Sequence, residues 1–250
     1  MVPEITVEEY IKIREEVAAF LDEKKKNHVS SYDKLPDGKH RRIVFNNANK
    51  LYNKSKLLEP FISKDLIKLL EDGVGELTSF DHRLKDMESI KRKIISDSKD
   101  YDGSYQRAAD NITDAIRYTF VLPDDEYVSK VDEYLHKLEG IGYVVIAFKN
   151  RWGKKYYQGY NVILECPSPN EKEVFELQFH TPYGYQIKEG STRDLYQVVR
   201  DDDISPEVVE LKQKANKLRR IFQKSVPIPN GAIEYNYDPD IYINGKGGKR

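Results

Sequence analysis

One cysteine, one tryptophan and two methionines are all that 250 residues contain of those types. With Cys166 alone, neither an internal disulfide nor a thiolate metal cluster can form. That fits a reducing cytosol, and equally a chain delivered into one from outside. No run approaches the ~18 apolar residues of a membrane span. The first residues, MVPEITVEEY, are acidic where a secretory leader would be basic and then apolar. The expectation is a soluble protein acting in the cytoplasm, with no cleavable address and no membrane partner. Net charge is scarce too: 41 Lys and Arg against 42 Asp and Glu leave −1. No global field draws the chain to nucleic acid, so any anion site must come from local clustering. Tyrosine is abundant, with 18 residues, and a hydrophobic share of 39% suffices for a globular core in one or two domains.

The first third reads helical. Thr6 and Glu9 have capping-box spacing, and Tyr10, Ile13, Val17, Phe20 and Leu21 recur at helical period. Pro36-Asp37-Gly38 marks a turn, and a second helix is expected from a cap at Ser63 through Leu66, Ile67, Leu69 and Leu70. Residues 84–95 form a helix with Leu84, Met87, Ile90 and Ile94 on one side and Lys85, Ser89, Arg92 and Lys93 on the other. Ala115 to Leu122 reads as a strand, and Val128, Val131, Leu135 and Leu138 as a helix stopped at Gly140. Three strands follow, Gly142 to Phe148, Gly159 to Cys166 and Glu173 to His180, the last two joined by a turn at Pro167-Ser168-Pro169-Asn170. Ser205-Pro206 then opens a helix with the seam Val208, Leu211, Ala215, Leu218 and Phe222. Lys212, Lys214, Lys217, Arg219, Arg220 and Lys224 flank that seam, as an RNA-facing row or a solvated face. From Pro227 onward no regular structure is expected. The pattern implies an α+β layer.

Four local patterns carry chemistry. In Glu173 to His180, Phe175, Leu177 and Phe179 alternate toward a core, leaving Glu176, Gln178 and His180 together on the other face. A carboxylate beside an amide can bind a metal ion and fix a hydroxyl, although a half-exposed strand also has a polar face. Arg83, Lys85, Ser89 and Lys93 could hold phosphate oxygens, although most basic helix faces are only solvated. Asp114 lies at the mouth of a strand containing Arg117, an arginine that needs an anionic partner, with Asp110 as the competing carboxylate. Gly159-Tyr160 offers close approach and a stacking ring.

In order and spacing over residues 80–200, these segments resemble the RelA/SpoT synthetase domain. His82-Arg83-Leu84-Lys85, then Ser89-Ile90 and Lys93, is similar to that family's Arg-x-Lys-x-x-x-Ser-Ile-x-x-Lys segment. Asp114 with Arg117 resembles its Asp-strand-Arg element, Gly159-Tyr160-Asn161 its Gly-Tyr segment, and Glu176-Leu177-Gln178-Phe179-His180-Thr181 its Glu-x-Gln-x-x-Thr signature. The wording Glu-Leu-Gln-Phe-His-Thr looks closest to the toxin-like and interbacterial-effector branch. There are departures. The family's aspartate sits five residues before its arginine, where this chain has Ile112; Arg193 stands where a histidine is usual; and Asn161 replaces a glutamine.

The resemblance implies a nucleotidyltransferase-like fold, with a mixed, mostly antiparallel sheet flanked by helices. It also implies a division into a helical extension (1–75), a synthetase core (76–200), a C-terminal helix packed on the core (201–226) and an irregular tail (227–250). The implied activity is ATP-dependent transfer of pyrophosphate to a ribose hydroxyl of a guanosine or adenosine nucleotide, or of a tRNA 3′ end. Arg83, Lys85, Ser89, Lys93 and Arg117 would bind ATP, while Tyr160 and Asn161 would bind the acceptor. Asp114 and Glu176 would hold Mg²⁺, and Glu176, Asp114 and Gln178 would act in catalysis. A toxin of this kind implies a neutralising antitoxin or immunity protein. The alternatives are a catalytically inactive nucleotide sensor and a transferase that moves a monophosphate. His28, His40, His82, His136 and His180 have no spacing that suggests the hydrolase metal site of longer family members.

Overall fold

A computed structural model describes residues 5–26, 30–167 and 173–237 of the chain. At its centre is strand β5 (Val174–His180), whose Phe175, Leu177 and Phe179 are fully buried. Period-two spacing puts these three on one face, and burying each contributes roughly 1.5–3 kcal/mol. β5 pairs in parallel with β2 (Arg117–Val121) and antiparallel with β4 (Tyr160–Glu165). β1 (Glu76–Thr78) and β3 (Val144–Asn150) form the edges, giving the order β1-β2-β5-β4-β3 with every other pairing antiparallel. The architecture is α+β with a mixed, mostly antiparallel sheet, as the sequence implied. β1 was not anticipated, because three residues are too few to show alternation.

Helix α5 (Tyr127–Gly140) covers the apolar face with Tyr127, Val131, Tyr134, Leu135 and Leu138. Helix α2 (Gly38–Lys68) adds Ile62 and Leu66 to the same core. Its N-cap is Asp37, which accepts from the His40 amide at 2.8 Å. The helix expected to begin at Ser63 is instead the end of this 31-residue helix. Pro60 removes one backbone hydrogen bond inside it. The buried stripe Val44, Ala48, Ser55, Ile62 and Leu66 holds the helix together past that point. Ser63 does not cap: its hydroxyl donates to Glu59 and lies 2.7 Å from the Tyr118 hydroxyl.

Helices α3 (Met87–Asp97) and α4 (Tyr105–Asp110) pack on α2 through Ile90, Ile94, Ala108 and Ala109. α3 starts later than expected because Asp86 caps it, accepting from the Ser89 amide at 2.7 Å. Leu84 lies outside the helix and bridges to Ile116.

A third cluster joins α1 (Val7–Lys26), α7 (Arg193–Val199) and α8 (Pro206–Lys224) through Ile13, Val17, Leu195, Val198, Leu211, Ala215 and Leu218. This packing engages three of the lysines that flank the α8 seam. Lys214 pairs with Glu16 at 3.0 Å and Lys217 with Glu9 at 2.8 Å. Lys212 donates to the Asp201 and Asp203 carbonyls at 2.6 Å each. The described part of the tail has no helix or strand, yet it is anchored. Ala232 and Tyr237 are buried, and the Asn150 amide donates to the Ala232, Ile233 and Tyr235 carbonyls at 2.8, 3.0 and 2.9 Å. The turn at Ser168 to Asn170 and His28 lie outside the described residues. No helix among the described residues is long and apolar enough to cross a membrane.

Candidate active site

Strand parity sorts the polar residues onto one face. Register pairs Arg117 with Glu176, Thr119 with Gln178, and Asn161 with Gln178, while Tyr118, Val162, Leu177 and Phe179 face the core. Thr181 follows β5 directly and caps helix α6 (Pro182–Gln186), accepting from the Gly184 amide at 3.2 Å. The signature is therefore a strand end locked into a helix start.

Glu176 is held through one oxygen. The amides of Gln178 and Asn161 both donate to its Oε1, Asn161 at 3.1 Å. Among the described residues no hydrogen bond reaches its Oε2, which leaves that oxygen to meet a substrate. Nearby, Lys85 Nζ lies 3.1 Å from Asp114 Oδ2, and Lys93 Nζ is 3.9 Å from Oδ1 and 3.2 Å from Asp97. Burial pushes the Asp114 carboxyl up, but Lys85 and Lys93 outweigh it and hold the pKa below the ordinary value. Burial lowers Lys93, and Asp114 and Asp97 outweigh it; Lys93 also feels Glu176. Arg117 is exposed and makes no ion pair among the described residues, although it lies in the fields of Asp114 and Glu189. A free guanidinium beside a carboxylate with one open oxygen is an arrangement suited to a phosphate-bearing ligand.

The residues present fit a hard divalent cation. Asp114 Oδ1, Asn161 Oδ1 and Gln178 Oε1 are buried and lack hydrogen-bond partners. Oxygen-only donors of this kind suit Mg²⁺, which takes one or two carboxylates and completes its shell with phosphate and water. No group of three His, Cys, Asp or Glu suited to a metal occurs among the described residues. Asp110, the competing carboxylate, is exposed and accepts from Gln106 at 2.8 Å.

Three expected site residues have other partners in this fold. The Arg83 guanidinium bonds Glu59 and the Phe80 carbonyl, the latter at 2.7 Å, and sits over the Phe80 ring, in the network containing core-facing Tyr118. It ties α2 to the sheet and does not face Glu176. Ser89 donates to Asp86 at 2.8 Å and so belongs to the α3 cap. Tyr160 is wholly buried against Tyr127, Phe148 and Tyr235, and its hydroxyl donates to the Ala232 carbonyl at 2.8 Å. One residue of parity separates it from Asn161, so it cannot stack on a ligand at the polar face. Gly159 is also explained by the fold: at φ +141 a Cβ there would lie 2.5 Å from the Phe179 carbonyl oxygen. Tyr160→Phe should therefore cost about 1 kcal/mol of stability and leave acceptor KM unchanged, as thermal melts with steady-state kinetics would reveal. A raised acceptor KM in a fully folded Phe variant would restore Tyr160 to the site.

Three residues that were not assigned a role join the site. Ile187–Ser191 winds as a π-helical turn, a form frequent at functional sites. It brings Glu189 near Arg117; burial raises Glu189, but Lys188 at 2.8 Å, then Arg193 and Arg117, outweigh it and lower the pKa. Tyr157 turns its hydroxyl inward to His180 Nε2 at 2.8 Å, and burial followed by Glu176 raises its pKa far above the usual value. The Tyr156-Tyr157 pair before Gly159 was the only sequence signal for this contact. His180 is 1% exposed, and burial first, then Lys188, lower its pKa well below the ordinary value. It is neutral in the fold and protonates readily only when unfolded. Its stabilising contribution is complete above about pH 6.5 and falls as pH drops below that, by at most ~1.4 kcal/mol per pH unit. Urea unfolding between pH 7 and 5 should show this slope, and His180→Asn should flatten it; an equal slope in both would place the titrating group elsewhere.

No protein-family model and no curated protein matches the chain. Solved structures do resemble it. Small alarmone synthetase 2 from Bacillus subtilis is 18% identical, with a TM-score of 0.46 over 70% of this chain and 94% of that one. A GTP pyrophosphokinase family protein from Streptococcus pneumoniae is 14% identical, with a TM-score of 0.41 over 74% and 89%. Small alarmone synthetase 1 from Bacillus subtilis, bound to its product pppGpp, is 12% identical, with a TM-score of 0.40 over 75% and 95%.

Proposed function

We propose that this chain is an ATP-dependent pyrophosphokinase that transfers the β,γ-pyrophosphate of ATP to a ribose hydroxyl. The observation that carries this reading is Glu176, fixed at Oε1 by two amides and open at Oε2, within reach of the field of Lys93 and paired in register with Arg117. The motif order resembling the RelA/SpoT synthetases supports it.

In this mechanism the hydroxyl proton passes to Glu176 Oε2 as the oxygen attacks the β-phosphorus. The bond from that phosphorus to the α,β-bridging oxygen breaks, and AMP leaves. Lys85, Lys93 and Arg117 neutralise charge growing on the phosphoryl oxygens. Gln178 and Asn161 keep the carboxylate aimed. Asp114 and Glu176 would hold Mg²⁺, which supplies charge neutralisation and alignment of the phosphates when bound. A chain of this kind acts in the cytoplasm as a growth-inhibiting toxin, restrained by a neutralising antitoxin or immunity protein.

Incubation with ATP labelled in its β- or γ-phosphate, alongside GDP, GTP, ADP, ATP and tRNA, tests the reaction. AMP release with both labels on one acceptor supports it. Transfer of an α-label with pyrophosphate release would establish a monophosphate transferase instead, and nucleotide binding without turnover a sensor.

A further inference from the structure

Helix α2 is apolar on both of its sides. The stripe Val44, Ala48, Ile62 and Leu66 is buried in the core, as a surface helix requires. The outward side should then be polar, yet Ile43, Phe45, Leu57, Phe61 and Ile67 are all exposed. Leu57 and Phe61, one turn apart, keep 73% and 69% of their surface open, and Ile67 keeps 53%. One exposed apolar residue is ordinary, but a row of them along a helix marks a contact surface.

Charge on this side has one sign. Every charged side chain exposed on α2 is a lysine or an arginine. The two carboxylates of the helix are engaged: Glu59 is buried against Arg83, and Asp65 accepts from the Tyr143 hydroxyl at 3.1 Å and lies 3.6 Å from Lys68. Lys56 and Lys64 make no ion pair among the described residues. Steps of three and four residues set Leu57, Phe61 and Lys64 in one stripe. Lys56 and Ile67, eleven apart, fall in the next, so cations and apolar side chains interleave over about three turns, ~16 Å.

The interleaving decides what fits. A bilayer takes up a helix whose apolar side chains share one face with the cations at its sides, whereas here Lys64 stands between Phe61 and Ile67. A second copy docking the same face on itself about a two-fold axis would set lysine against lysine. Nucleic acid would neutralise the lysines and leave Leu57 and Ile67 against phosphate. An acidic amphipathic helix meets both needs, with apolar side chains over Leu57, Phe61 and Ile67 and carboxylates beside Lys56 and Lys64.

We infer that the outward side of α2 around Leu57 and Phe61 docks an acidic amphipathic helix of a partner protein. This docking is independent of the proposed reaction and of the residues around Glu176.

Fluorescence anisotropy on the full chain measures it, with a labelled helical peptide of about 20 residues carrying Leu at i, i+3, i+4 and i+7 and Glu around them. Binding is expected in the micromolar range at low salt and should weaken as salt rises. Phe61→Ala should weaken it about tenfold or more, the effect of losing a central apolar anchor. Lys56→Glu combined with Lys64→Glu should abolish it. A peptide with Lys in place of Glu should then bind the doubly substituted chain, a rescue that loss of folding could not produce. Melting curves of all the variants should match wild type, because these side chains are exposed. A Kd for the acidic peptide above about 1 mM, or equal affinity for the wild-type and charge-reversed chains, overturns the docking surface. Phe61-dependent binding to phosphatidylserine vesicles without peptide binding would assign the face to a membrane and overturn the acidic partner. Sedimentation as a dimer that Phe61→Ala dissociates would assign it to a second copy, with the same consequence.

Discussion

Glu176→Gln should lower pyrophosphate transfer by roughly 10²–10⁴, the range for loss of a positioned general base. The substitution keeps the shape of the side chain and an oxygen that can still accept from Gln178 and Asn161. What it removes is the second oxygen, replaced by an amide that donates where the mechanism requires an acceptor. A metal ion bound there would also lose a charged ligand, so the upper end of the range applies. The fold should barely respond, since Phe175 and Leu177 on either side carry the packing. Single-turnover rates with labelled ATP, alongside melting curves and titration of a non-hydrolysable ATP analogue, separate chemistry from binding and folding. Near-normal turnover in a folded variant would remove Glu176 from the reaction.

The second large effect is expected at Asp114. Its carboxylate lies between Lys85 and Lys93, and Asn in its place would leave two cations facing each other without the intervening anion. Loss of several kcal/mol of charge stabilisation corresponds to roughly 10²–10³ in rate. Asp110→Asn should stay near wild type, because Asp110 is exposed and accepts only from Gln106 among the described residues. The opposite ranking of the two variants would move the metal ligand to Asp110. The pH response is fixed in sign as well. Because the Asp114 pKa is held below its ordinary value, its contribution to stability is complete above the unfolded value near 3.8. That contribution is lost only as pH falls through the depressed folded value.

The comparison of Tyr160 with Glu176 separates what local sequence can convey from what it cannot. Phe175-Glu176-Leu177-Gln178-Phe179 announces its own parity, since three apolar residues at period two leave no choice of face. Tyr160 carries no such mark. An amphipathic ring can face a core or a ligand, and its partners Phe148, Tyr235 and the Ala232 carbonyl come from other strands and from the tail. Arg83 misleads in the same way. Read beside Lys85 it belongs to a phosphate-binding segment, yet Glu59, on a helix 24 residues earlier, claims its guanidinium.

By itself, then, the sequence determined the strand order of chemistry: a basic segment, then Asp114 and Arg117, then the Glu176–Gln178 face, with an α+β frame to carry them. Periodicity and turn chemistry are local and survive being read one segment at a time. The tertiary structure decided which of those residues meet. It passed α2 unbroken through Pro60, matched Lys214 and Lys217 of α8 with Glu16 and Glu9 of α1, turned Tyr160 and Arg83 away from Glu176, and brought Glu189 toward Arg117 and Tyr157 toward Glu176. The physical reason is that a charge or a ring is committed by whichever partner lies within a few ångströms. In this chain those partners are supplied by register and helix packing across tens of residues.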